Sequence, residues 1–143
     1  MKDSIIQLIL KKELREYYFK KNNLDELKNK IEDLKDTKYS AGAIWNNCEP
    51  VKGGGTKQED KLIEINIKLE LMEQNYENNM NLIKDIDKGL KQLEETELKI
   101  ITSLWIQKIG INRLCNELNY SKSTIYRKSD EALRTLAICI YGG

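Results

Sequence analysis

Lys122, Ser123, Thr124, Tyr126, Arg127 and Lys128 crowd one short stretch near the end of the chain. Cations mixed with hydroxyls are the donors that bind phosphate oxygens and base edges, so this stretch reads as a surface for duplex DNA. The surrounding run NRLCNELNYSKSTIYRK supplies what is needed to present it. A small residue, Cys115, stands where two helices would cross closely, and a short polar turn from Asn119 to Ser121 follows. Asn119 is a residue type that tolerates the left-handed backbone such a turn requires. Leu114, Leu118 and Ile125 then make the buried apolar seam of a helix-turn-helix, leaving the six polar side chains outward at the start of its second helix.

The bulk composition fits a helical protein of modest size. The chain has 143 residues, 40% of them apolar, with a single Phe, a single Pro and abundant charge. That is enough for one ordinary domain, or for a small domain carried on a long helical arm. Its formal charge is only +1, so attraction to a polyanion must come from local charge. From Gly110 onward, Arg113, Lys122, Arg127, Lys128 and Arg134 oppose Glu117, Asp130 and Glu131. Cys48, Cys115 and Cys139 are odd in number and lack CxxC spacing, and no His is present; this argues against a disulfide framework or a zinc site. The apolar run in residues 1–10 is short and is followed at once by charges, unlike a signal peptide or a membrane span. A soluble, cytoplasmic protein is expected.

Four segments divide the chain. Residues 1–36 are N-terminal helices: Ile6, Leu10, Leu14 and Tyr17 share one stripe, and Leu24, Leu27, Ile31 and Leu34 continue it. Asp3 or Ser4 is the expected cap, and Asn22–Asn23 the expected break between two helices. Residues 37–57 contain the only Pro and a triple Gly and read as a loop anchored by Tyr39, Ile44 and Trp45. Residues 58–93 carry the strongest periodicity: Leu62, Ile65, Leu69, Met72, Tyr76, Asn79, Ile83, Ile86, Leu90 and Leu93 fall at alternating steps of three and four. A stripe this long must pack against the N-terminal helices, a second copy, or both. Asn79 either sets register there or is locally solvated, with Met80 shifting in. Residues 94–143 form the DNA-binding domain. Thr96 caps its first helix, Leu98, Ile101, Leu104 and Trp105 give that helix its apolar face, and Gly110 ends it.

The run LEETELKIITSLWIQKIGINRLCNELNYSKSTIYRKSDEALRTL resembles region four of sigma factors through the turn. Leu114–Cys115 stand for that family's Ile-Ala pair and Leu118 to Ser121 for its Leu-Gly-Ile-Ser turn. Thr124–Ile125 stand for Thr-Val, and Ala132–Leu133 for the pair that closes the helix. More narrowly, the tail SKSTIYRKSDEALRTLA, the GGGTKQEDKL lead into the long helix and the length resemble phage transcriptional regulators of the RinA and ArpU type. The resemblance implies an all-α fold, with an N-terminal helical arm, a long heptad helix in a coiled coil or helical hairpin, and a C-terminal helix-turn-helix. It implies sequence-specific regulation of transcription, as an activator of phage or prophage late genes, by an arm that oligomerises or meets RNA polymerase.

On that resemblance each polar side chain has a task. Ser121 caps the second helix and, with its free N–H groups, takes a phosphate; Lys122 and Lys128 hold neighbouring phosphates. Arg127 reads a guanine, with Ser123, Thr124 and Tyr126 adding contacts, and Arg113 clamps the backbone from the preceding helix. The plainer alternatives are that Ser-x-Ser-Thr is only a cap, that the basic turn is only solvated, and that Tyr126 packs inward; Trp105 and Tyr120 read as core. Helix-turn-helix units also serve phage small terminase subunits, which bind DNA for packaging, and a coiled-coil interaction protein without DNA binding is a third reading. No enzyme is expected. No His, no CxxC and no phosphate-cradling Gly loop is at hand, and Glu59, Asp60 and Glu64 suit the dipole of a helix start. Neither a cofactor nor a metal is implied.

Overall fold

The computed structural model describes the backbone of residues 2–47 and 55–142 and the side chains of residues 4–40, 57 and 59–142. Its described residues are all-helical, as the sequence implies. Helices α1 (Lys2–Asn47), α2 (Gly55–Lys91), α3 (Glu95–Ile101), α4 (Ile111–Leu118) and α5 (Lys122–Tyr141) follow in order, and a single π-helical turn, Thr102–Ile106, continues α3. They form two compact units, residues 23–80 and residues 1–22 with 81–143.

Three boundaries differ from expectation. Helix α1 begins at Lys2, ahead of Asp3 and Ser4, and runs unbroken through Asn22–Asn23; asparagine is only a weak helix breaker, and the apolar stripe continues on either side. The expected loop at 37–57 is helical through Asn47 and again from Gly55, because no Gly or Pro occurs between Thr37 and Tyr39 to stop the helix, and Gly42 alone does not. Tyr39 projects into solvent, while the side chains of Ile44 and Trp45, like Cys48 and Pro50, lie outside the described residues. With α2 starting at Gly55, Glu59, Asp60 and Glu64 fall beyond its first turn, so the dipole is not what places them.

In the unit of residues 23–80, α1 and α2 pair through the expected seam. Ile31 and Leu69 are buried, Leu24, Leu27, Leu34, Leu62, Ile65, Met72 and Tyr76 are half-buried, and Lys35 Nζ meets Glu73 Oε1 at 3.4 Å across the pair. Seven residues separate the helices, a span of at most about 25 Å, whereas parallel helices meeting at Lys35 and Glu73 would need about 45 Å. The pair is therefore an antiparallel hairpin. Asn79 and Met80, at its end, are both half-buried. The outward side of α2 carries a second apolar row, Ile63, Ile67 and Leu71, each more than half exposed.

In the other unit, Leu10, Leu14 and Tyr17 of α1 and Ile83 and Ile86 of α2 are buried with residues of α3 and α5. Tyr17 donates its hydroxyl proton to Asp87 Oδ1, and Lys21 Nζ donates to the same phenol at 3.0 Å. Tyr141, at the end of α5, donates to Glu13. Gly89 of α2 packs tightly on α5: a Cβ there would lie 2.8 Å from Leu136 Cδ2 and 3.6 Å from Cys139 Cβ. The absent side chain is what allows that approach.

Gly89→Leu is expected to destabilise the protein by about 1–3 kcal/mol through overpacking against fully buried Leu136, read as a lower urea midpoint with an unchanged m-value. Burial, and then the carboxylate acceptors, push the Tyr17 and Tyr141 phenols above their usual value of 10.0. The folded state thus holds these protons more tightly than the unfolded chain. Their contribution is intact below about pH 10 and is lost as pH rises through the raised values. Tyr17→Phe and Tyr141→Phe should each flatten the fall in melting temperature as the pH rises above about 10.

Candidate nucleic-acid interface

The trihelical unit begins at Glu94, whose extended backbone caps α3 without a side-chain bond. Thr96, the expected cap, lies inside the first turn, where Glu95 and Glu97 favour the positive end of the helix dipole. The π turn then changes the helix face. Gln107 N–H donates to Thr102 O at 2.8 Å and Ile109 N–H to Ser103 O at 2.7 Å, and Lys108 takes the positive φ of 55° that closes the turn. Gly110, expected to stop this helix, instead has ordinary extended geometry and caps α4. Of the expected face Ile101 is fully buried and Leu104 and Trp105 are half-buried, Ile100 and Ser103 join them inward, and Leu98 lies on the exposed side.

Ile100 of α3, Leu114 of α4 and Ile125 of α5 make one fully buried cluster, with Leu104, Ile111, Cys115 and Leu118 packed on it. The expected seam of Leu114, Leu118 and Ile125 is thus assembled, with the half-buried Cys115 packed on it. Asn119 has φ 58° and ψ 37°, the left-handed conformation, and both its N–H and that of Tyr120 reach the Cys115 carbonyl, the latter at 3.3 Å. This bonding pattern satisfies the end of α4 and turns the chain sharply into α5. Ala132 and Leu133 close the helix pair and are fully buried. Trp105 is half-buried, its Nε1–H donating at 2.9 Å to the buried hydroxyl of Ser129, with the Lys11 ammonium 4.4 Å above its ring.

Each expected contact residue has a definite place. Ser121 caps α5: its Oγ accepts from Thr124 N–H at 3.2 Å and lies within hydrogen-bond distance of the Ser123 and Thr124 hydroxyls. Three hydroxyls thus share one local network, so the cap reading of Ser-x-Ser-Thr is realised. Lys122 is exposed and has no ion-pair partner among the described residues. Tyr126 projects outward rather than into the core. Tyr120, expected in the core, lies at its edge, where its ring carries the half-buried Lys128 ammonium 5.6 Å from the centroid. Arg127 is exposed, its Nη1 at 3.6 Å from Glu131 Oε1. Arg113 stands apart on α4, its Nε at 3.3 Å from Glu117 Oε1, and Lys99 of α3 reaches Glu117 Oε2 at 3.8 Å.

Ser123, Tyr126 and Arg127 line a shallow depression along the outward side of α5, together with Asp130, Glu131 and Arg134. The last three were not assigned contacts from sequence, although steps of three, four and seven from Arg127 lead to them. Arg134 has no ion-pair partner among the described residues. Among the described residues no group of His, Cys, Asp and Glu could hold a metal, and no helix is long and apolar enough to cross a membrane. Cys115 and Cys139 are free thiols.

Residues 41–137 match one protein family, described as "Protein of unknown function (DUF1492)". No curated protein and no solved structure matches the chain.

Ser121→Ala should lower stability by about 1 kcal/mol through loss of the cap. Asn119→Val, which forces a β-branched side chain into the left-handed region, should cost about 1–2 kcal/mol, while Asn119→Gly should leave stability within about 1 kcal/mol of the parent. Thermal melts of the three variants test the turn assignment.

Proposed function

The chain belongs to the DUF1492 family, and we propose that it is a sequence-specific DNA-binding regulator of transcription, acting in the cytoplasm as an activator of phage or prophage late genes. The observation that carries the DNA-binding part is the trihelical unit: a left-handed turn at Asn119, a buried three-helix cluster and an outward α5 face bearing Lys122, Ser123, Tyr126, Arg127 and Arg134. In this reading α5 lies in a major groove, with its N-terminal residues toward base edges. Ser121 and the free N–H groups of the first turn receive a phosphate, and Lys122 and Lys128 hold phosphates on either side. Arg127 reads a guanine, Ser123, Thr124 and Tyr126 add contacts, and Arg113 clamps the backbone from α4. The gene-regulatory part rests on the resemblance to sigma region four and to regulators of the RinA and ArpU type.

Assembly belongs to the same reading. The heptad seam is covered by the chain's own α1, so a second copy, or RNA polymerase, would meet the outer row Ile63, Ile67 and Leu71 of α2. Reading a two-fold site would follow from pairing two such units.

The test is binding to duplex DNA at several salt concentrations, followed by transcription from the bound promoter. The affinity should fall steeply with salt. Arg127→Ala should cost about 1–3 kcal/mol at the preferred site and erase site preference, whereas Lys122→Ala should weaken all duplexes alike and reduce the salt slope by about one unit. Binding without any effect on transcription would favour the packaging role instead; no binding would leave an interaction protein.

A further inference from the structure

Arg127 and Arg113 are each followed four residues later by a glutamate, and the two pairs are made differently. Glu117 Oε1 accepts a hydrogen bond from Arg113 Nε at 3.3 Å, whereas Glu131 Oε1 meets Arg127 on the Nη1 side as a looser ion pair at 3.6 Å. In a guanidinium the Nη1 nitrogen lies on the Cδ side, and the Nε–H and the outer Nη2–H form the opposite, side-on edge. A carboxylate on Nε occupies that edge. A carboxylate on Nη1 leaves it open, with two parallel donors spaced for the O6 and N7 acceptors of a guanine.

Resting on the DNA-reading proposal, we infer that Glu131 is a positioning residue for base recognition, holding Arg127 by Nη1 so that its Nε–Nη2 edge meets guanine. Two further features act in the same direction. An arginine side chain has many rotamers, and a partner on the same helix removes part of that freedom before binding. The Glu131 carboxylate, with Asp130 beside it in the same depression, also repels phosphate and so steers the guanidinium from the backbone, which any sequence offers, toward a base. Arg113, with its side-on edge taken and Lys99 sharing the same glutamate, keeps only its terminal nitrogens free. That arrangement suits a phosphate clamp and carries no sequence information.

The experiment uses the full chain, a duplex selected by it from a randomised pool, and a scrambled duplex of the same composition. Glu131→Gln should tighten the scrambled duplex and reduce the selected-to-scrambled affinity ratio by about three- to tenfold. Glu117→Gln should tighten both duplexes and leave the ratio unchanged. Adding Glu131→Gln to Arg127→Ala should not lower the ratio further, because the glutamate acts through the arginine. Melting temperatures report that each variant folds. A ratio unaltered by Glu131→Gln while Arg127→Ala abolishes it overturns the positioning role and leaves the DNA reading intact. Failure of the parent chain to select any duplex overturns both.

Discussion

The unit that carries the candidate interface depends on one contact, the meeting of Ile100, Leu114 and Ile125. Each comes from a different helix and none is accessible to water. Helices of seven and eight residues are far too short to be stable alone, so their hydrogen bonds persist only because tertiary burial offsets the entropy of ordering them. Everything on the outer surface inherits its direction from this cluster: with Ile125 inward, the helical period turns Arg127 and Arg134 outward.

The turn between α4 and α5 sets the direction of the candidate face. Asn119 ends α4 against the Cys115 carbonyl, and two residues later Ser121 begins α5 with its own side chain as cap. A longer linker would let α5 rotate against α4. This one places the first turn of α5, with its unpaired N–H groups and positive dipole end, at a set position beside Lys122. The carboxylates complete the arrangement. The net charge is only +1, and Glu117 and Glu131 lie beside Arg113 on its Nε side and Arg127 on its Nη1 side.

The long helices obey a simpler constraint. Nine of the ten seam positions lie on α2, Leu93 falling just past its end, and the six within the unit of residues 23–80 meet α1 of the same chain, which runs antiparallel to them. Since one partner suffices to cover one stripe, the second row at Ile63, Ile67 and Leu71 is left over. It is this row that the proposed assembly draws on.

Periodicity and turn chemistry were enough, from sequence alone, for the helical class, the buried stripes of α1 and α2, the left-handed Asn119, the Ser121 cap and the buried trio's Leu114 and Ile125. Those features depend on neighbours within a few residues, where φ preference and the 3.6-residue period operate directly. The tertiary structure alone decided the rest. Packing against α4 and α5 put Ile100 inward and left Leu98 on the outer side, and the π turn at Thr102–Ile106, which no local pattern records, shifts the residues after it around the axis. The approach of α5 to α2 gave Gly89 its purpose, and the extension of α1 to Asn47 prevailed over a sequence that looked like loop. Which nitrogen of each arginine meets its glutamate was likewise settled by side-chain rotamers on packed helices, and spacing, identical in the two pairs, could not distinguish them.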